Sequence, residues 1–338
     1  MIAIADNSFS GDCYIGIDTS NYTTSFAVCD SNGRIVLNLR RLLEVREGER
    51  GLRQSDAVFA HTKNMPVLTE SAKQLLSQFK ITAIGCSSRP RDAENSYMPC
   101  FLVGKSTAYA MSAALGVPVY EFSHQNGHIA AALYSAGMLD PVIGSYAESG
   151  REFKPFCAFH VSGGTTELLR VLPGNNKKLL DVQLIGGTND LNAGQAIDRI
   201  GVAMGLKFPC GKQMELLSNE YSGDIPPIKV SVKGFSCDLS GLENKAKKLY
   251  NETKNMSLTS RYVFDFLSRT FVKITSNLLD VYPDSMIVYA GGVMSNKYLQ
   301  KCLKERFDAY FAEPEFSADN ASGTAQLCRL THAMLSKS

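Results

Sequence analysis

The chain has 338 residues, 44% hydrophobic and 20% charged, with a formal net charge of +2. That is enough to bury a large core in one domain or two lobes, and the composition is ordinary for a globular protein. So small a charge gives no general sign of nucleic-acid binding. It remains compatible with a local basic patch, for which Arg40, Arg41, Arg46, Arg50 and Arg53 are candidates, or with a merely solvated segment.

Nine cysteines, an odd number with no C-x-x-C pair, argue for reduced thiols in a cytoplasmic protein and against a disulfide framework. The stretch from Met1 to Asp6 has neither a basic region nor a long apolar run, so no signal peptide is expected. No run of about 18 apolar residues exists, so no membrane-spanning helix is expected.

The first predicted strand is Tyr14 to Ile17. It runs into the hydroxyl-rich stretch Asp18 to Thr24 and restarts at Ser25 to Val28, which reads as a β-hairpin. Helices are predicted over Val67–Gln78 and Gly104–Leu115, with a strand at Ala83–Gly85 before the second. The Gly-, Ser- and Pro-containing stretch from Ala136 to Lys154 is the expected linker. A second hairpin follows, Phe156 to Val161, then Ser162 to Thr166, then Glu167 to Val171. Two copies of this unit suggest an internal duplication. Helices over Ala193–Met204 and Tyr262–Leu279 and a strand over Met286–Ala290 complete the pattern. The alternation predicts an α/β protein of two lobes, 13–135 with 318–338, and 155–317.

The chain has only five histidines, and two of them, His124 and His128, stand at i and i+4 in Ser123-His124-Gln125-Asn126-Gly127-His128. On a helix both imidazoles face one way and can reach one metal ion. Asp319 offers a third ligand, which would leave positions open as in a catalytic site. The zinc-protease motif has a glutamate general base after its first histidine. Gln125 stands there and cannot take a proton, which argues against that chemistry.

Glycine-rich turns let backbone amides approach phosphate closely. Ser162, Gly163, Gly164 and Thr165 suit that use, and a plain tight hairpin is the alternative. Gly291 and Gly292, leading to Asn296, follow a strand and open a helix, either beside a nucleotide or as a simple βα turn. Asp198 suits a ribose hydroxyl, or else a surface pair with Arg199. Gly211 would let the chain close over a ligand. Together these features describe the actin, hexokinase and Hsp70-like (ASKHA) fold, two duplicated ribonuclease-H-like lobes with a nucleotide in the cleft.

From about Tyr14 to His332 the chain resembles the Gcp/TsaD family, once called O-sialoglycoprotein endopeptidases. Its members make the threonylcarbamoyl modification of adenosine in tRNA. The matching motifs are H-x-x-G-H at His124 to His128, V-S-G-G-x-T-E at Val161 to Glu167, and G-x-A-x-D at Gly194 to Asp198. A-G-G-V-x-x-N at Ala290 to Asn296 and D-N-A at Asp319 to Ala321 complete the set. The resemblance implies a divalent metal ion, Fe2+ or Zn2+, on His124, His128 and Asp319. It implies an adenine nucleotide or threonylcarbamoyl-adenylate at Ser162, Gly163, Gly164, Thr165, Asp198, Gly211, Gly292 and Asn296. It also implies tRNA as acceptor, with a shorter TsaB-like paralogue and a small TsaE-like ATPase as partners.

The chain departs from the family's pattern in several places. Tyr22 and Thr23 stand where the family has an acidic pair. Ser88-Arg89-Pro90-Arg91 replaces A-G-P-G, Thr165 replaces a histidine, Asn126 a glutamate and Glu243 a lysine. The new arginines open two alternatives. One is a carbamoyl- or phosphoryl-transferase whose small anionic acceptor is gripped by Arg89 and Arg91. The other is a non-catalytic nucleotide-binding partner.

Overall fold

The computed structural model describes residues 11–20, 22–44, 52–175, 178–317 and 319–337. Arg46 and Arg50 of the basic segment lie outside them.

The chain opens with strands β1 (Asp12–Ser20), β2 (Thr23–Asp30) and β3 (Ile35–Leu42) as an antiparallel meander. Helix α1 (Gln54–Leu76) leads to β4 (Lys80–Arg89), which lies parallel to β1. Helix α2 (Phe101–Leu115) leads to β5 (Val119–Ser123), parallel to β4, and α3 (His124–Ser135) follows at once. The sheet order is β3-β2-β1-β4-β5.

The predicted hairpin is there, with a turn shorter than the hydroxyl run, because Asp18 to Ser20 continue β1. Helix α1 starts well before Val67. Pro66 lies inside it. The segment 136–154, expected as a linker, holds a π-helical turn (Asp140–Gly144) and α4 (Ser145–Ser149), with Leu139, Ile143, Ala147 and Phe153 buried. Its glycines and serines end helices rather than loosen the chain. Gly137 and Gly150 both take the left-handed conformation after a helical turn.

The second half begins with β6 (Phe156–Val161), β7 (Thr166–Pro173) and β8 (Leu180–Thr188). Next come α5 (Ala193–Ala203), α6 (Gly211–Glu220), the small antiparallel pair β9 (Ser231–Lys233) and β10 (Ser236–Asp238), α7 (Ser240–Thr253) and α8 (Met256–Val281). Then follow β11 (Ile287–Ala290), a 3-10 turn, α9 (Lys297–Lys304), β12 (Ala309–Phe311) and α10 (Pro314–Ser317), and α11 (Ser322–Leu335) comes last.

The second sheet runs β12-β11-β6-β7-β8-β10-β9. Its β8-β7-β6-β11-β12 portion repeats the order of the first sheet. The repeat includes an antiparallel first hairpin and parallel strands added at the other edge. The duplication suggested by the two hairpins is thus carried through five strands of each sheet.

Two compact units result. Unit 1 is 1–153 with 173–181 and 319–338, and unit 2 is 154–172 with 182–318. In unit 1, side chains alternate along β1. Cys13, Ile15 and Ile17 pack with Met65, Leu68, Ala72 and Ala108 of α1 and α2. Gly16 faces the opposite way, onto α11. Asp18 shares that face by the same alternation. In unit 2, Phe159, Tyr289 and Phe311 stack across neighbouring strands at 4.7 Å spacings, with Phe271 edge-on to Phe159.

Candidate functional site

Helix α3 begins at His124 because Ser123, the last residue of β5, caps it. The Ser123 Oγ accepts the Asn126 amide at 3.2 Å. His124 and His128 then lie one turn apart, with Nε2 atoms 3.0 Å from each other. Asp319 comes in just ahead of α11. Its Oδ1 stands 3.3 Å from His128 Nε2 and 3.5 Å from His124 Nε2.

Glycines allow this convergence. A Cβ on Gly323 of α11 would run into the Gly127 carbonyl of α3. One on Gly16 of β1 would run into the Ala321 carbonyl and the Ala325 amide of α11. One on Gly127 would press on Thr324 Oγ1 at 3.2 Å. Gly127 lowers helix propensity, but it lets α3 and α11 approach closely enough for the three ligand atoms to meet.

The arrangement fits a metal ion. With metal–ligand bonds of about 2.1 Å, the three separations correspond to ligand–metal–ligand angles of about 90° to about 115°. The set of two imidazoles and one carboxylate suits iron or zinc. Among the described residues this is the one His/Cys/Asp/Glu cluster with metal-site spacing.

Electrostatics bind the group together. Burial opposes a charge on His124, but Asp18 and then Asp319 outweigh it and raise its pKa to about 10. Burial likewise opposes the Asp319 charge, and His124 and His128 hold its pKa well below the usual range. The Asp18 side chain is 1% exposed and places Oδ2 3.0 Å from His124 Nδ1. His61 of α1, fully buried, sets Nδ1 2.8 Å from Thr24 Oγ1, and burial lowers its pKa. Neither Asp18 nor His61 was singled out from sequence. The signal was there: an acid inside an apolar strand and a histidine on a buried helix face.

Three of the departures from the family pattern, at Arg89, Asn126 and Glu243, find local partners. Arg89 forks onto Asp92 Oδ1, with Nε at 2.9 Å and Nη2 at 2.5 Å, instead of standing free for an anion. Asp92 Oδ2 in turn accepts from Asn126 Nδ2 at 2.9 Å, and the Gln125 amide donates to the Pro90 carbonyl. The changed segment therefore straps the first turn of α3. Glu243 pairs with Arg199 and Lys247, so its reversed charge is neutralised on the spot. Arg199 is thus not the partner of Asp198.

The candidate nucleotide residues all belong to unit 2. The Ser162 amide donates to the Thr165 carbonyl at 2.8 Å, closing a tight turn. Helix α5 docks on this turn. The Ala193 amide donates to Thr166 Oγ1 at 2.8 Å, and Asn192 Nδ2 to the Gly164 carbonyl at 2.9 Å. Gly194 and Gly291 are needed for contact, since a Cβ on either would strike Ser162 or Val161 backbone. Gly163, Gly164 and Gly292 are different: an added Cβ would meet nothing within 4 Å, and none has positive φ. Asp198 Oδ1 accepts the Cys210 amide at 2.8 Å, immediately before Gly211 opens α6, and burial raises its pKa. Asn296 caps α9 by accepting the Leu299 amide at 2.9 Å. Asp190, not anticipated, ties the start of α7 to the segment before α5 by accepting the Leu239 and Ser240 amides.

Two sheets with the same five-strand order, hairpin first and parallel strands after, define the actin, hexokinase and Hsp70 class. Solved structures agree. A full-length HypF matches with a TM-score of 0.60 at 11% identity, over 94% of this chain and 46% of that one. The activator of 2-hydroxyisocaproyl-CoA dehydratase from Clostridium difficile matches at 0.51 and 11%, over 96% and 97%.

The sequence profile described as "TsaD: tRNA N6-adenosine threonylcarbamoyltransferase" matches residues 55–326. A Thermus thermophilus protein of that description is 30% identical over 91% of this chain and 89% of its own length. One from Riemerella anatipestifer is 26% identical over 94% and 92%. The chain belongs to the TsaD family of tRNA N6-adenosine threonylcarbamoyltransferases, enzymes of threonylcarbamoyl transfer to adenosine in tRNA.

Proposed function

We propose that this protein transfers a threonylcarbamoyl group from its adenylate to N6 of adenosine in tRNA. One divalent ion, iron or zinc, is held by His124, His128 and Asp319. The observation that carries the metal assignment is the approach of three ligand atoms to within 3.0 to 3.5 Å of one another. When bound, such an ion polarises the carbamoyl group or grips phosphate.

The chain's own residues do the rest. Backbone amides at Gly163, Gly164 and Gly292 receive phosphate oxygens in the space that a Cβ would fill. The Ser162 and Thr165 hydroxyls add donors. Asp198 holds the Cys210 amide with Oδ1 and offers Oδ2 to the ribose. Gly211 keeps the entry to α6 free of a side chain, and Asn296 fixes the start of α9 beside Gly292. The adenine N6 amine attacks the carbamoyl carbon and gives up one proton to solvent, the bond from that carbon to the adenylate oxygen breaks, and AMP leaves as the anion. A HypF of the same fold is described as phosphate- and nucleotide-bound, which supports the nucleotide part of the reading.

The partners in this reading are a shorter TsaB-like paralogue and a small TsaE-like ATPase. The setting is the cytoplasm, consistent with nine unpaired cysteines and with no described helix long and apolar enough to cross a membrane. Of the two arginines that would grip a small anionic acceptor, Arg89 is engaged by Asp92.

The test mixes the protein with Zn2+ or Fe2+, ATP, threonine, bicarbonate, the partner enzymes and unmodified tRNA. Digested tRNA is then read by mass spectrometry. The threonylcarbamoyl nucleoside is expected with the native chain and not with His124→Ala. Its absence from the native reaction would overturn the assignment.

A further inference from the structure

The metal assignment explains His124 Nε2 but leaves its other nitrogen unaccounted for. That nitrogen, Nδ1, stands 3.0 Å from Oδ2 of Asp18, a carboxylate with 1% side-chain exposure. The contact is fixed from both sides. Asp18 sits near the end of β1, whose alternation turns it to the face on which Gly16 packs against α11. His124 is the first residue of α3, held there by the Ser123 cap and by the Gln125 amide on the Pro90 carbonyl. With Nδ1 turned to this buried acid, the ring presents Nε2 away from it. That direction is toward His128 Nε2 and Asp319 Oδ1.

We propose that Asp18 is a positioning residue for the metal site. It holds the proton of His124 on Nδ1 and thereby fixes Nε2 as the ligand atom. The inference rests on the metal assignment above and deepens it. The physical basis is general: a metal-bound imidazole whose second nitrogen donates to a carboxylate has its tautomer and orientation set and its basicity raised. Asp18 touches neither substrate nor metal in this account, and its effect passes through His124.

The experiment measures Zn2+ affinity by chelator competition for four proteins: native, Asp18→Asn, His124→Ala and the double variant. Asp18→Asn is expected to weaken binding by about 10- to 100-fold, the usual effect of losing such a partner. The same change is expected to do nothing further in the His124→Ala background. An equal loss in both backgrounds would show a merely structural role and overturn the inference. So would unchanged affinity in Asp18→Asn. If His124→Ala itself binds zinc like the native chain, the metal assignment is what has failed. Should Asp18→Asn not fold, 15N resonances of the native zinc-loaded protein decide the matter. A proton on Nδ1 of His124 with Nε2 ligating supports the inference, and ligation through Nδ1 overturns it.

Discussion

Glycine serves opposite ends at two sets of positions in this chain. In unit 1, Gly16, Gly127 and Gly323 are filled against: each hydrogen where a side chain would begin lies on another segment's backbone or hydroxyl. In unit 2, Gly163, Gly164 and Gly292 face open space, with no crowding and no positive φ to require them. The first set brings three distant segments together around two histidines and an aspartate. The second leaves backbone amides bare.

This contrast can be broken most severely at Gly323. Gly323→Ala forces a methyl into the Gly127 carbonyl, and the neighbour is backbone and cannot swing aside. A loss of about 3 kcal/mol or more is expected, at the upper end of overpacking effects. Urea unfolding would show it, and zinc binding should fall with it. Native-like stability in that variant would mean that α3 and α11 do not pack backbone to backbone at this point.

Gly164→Val makes the opposite prediction. Stability should stay within about 0.5 kcal/mol of native, as for an exposed site away from packing. Affinity for adenine nucleotide should drop by about tenfold or more, because the side chain fills the space that phosphate needs. Calorimetry against ATP and AMP separates the two quantities. Unchanged affinity would remove the turn from the nucleotide site.

The smallest effect sharpens how unit 2 holds its open turn in place. Partial burial works against the Asp190 charge, but hydrogen bonds from Ser240 and from the Leu239, Ser240 and Leu191 amides bring its pKa down to about 2 from an ordinary 3.8. A folded pKa below the unfolded one stabilises above about pH 4, and the gain is lost as pH falls toward 2. Asp190 is largely exposed, so solvent screens the interaction. Asp190→Asn should therefore cost only about 0.5 to 1 kcal/mol at neutral pH. Urea curves at pH 7, 4 and 2.5 should show that gap closing. A constant gap would mean that the loss is of shape and not of charge.

Much of this was legible in the chain itself. Apolar runs broken by hydroxyl- and glycine-rich turns announced both hairpins, and spacing alone put His124 and His128 on one helix face. What escaped were relations across the sequence. No local pattern tells that Asp18 answers His124, or that Arg89 is taken up by Asp92. The true start of α1 was hidden because its first turns bury polar residues such as His61 and Asn64 rather than an apolar stripe. The stretch 136–154 looked loose because helix-ending glycines and linker glycines have the same composition.

The strap formed by Arg89, Asp92 and Asn126 has a consequence for how this branch can be compared with its relatives. Changing Asn126 alone to the family's glutamate would set a second carboxylate against Asp92. Changing Arg89 alone to glycine would leave Asp92, with its side chain 7% exposed, without its cation. Each single step toward the family pattern is thus expected to be harmful even if the full set is harmless. That is epistasis built from two hydrogen-bonded contacts. Residue-by-residue reversion would blame each position in turn for a loss that belongs to the trio, so the informative chimera exchanges 88–92 and position 126 together.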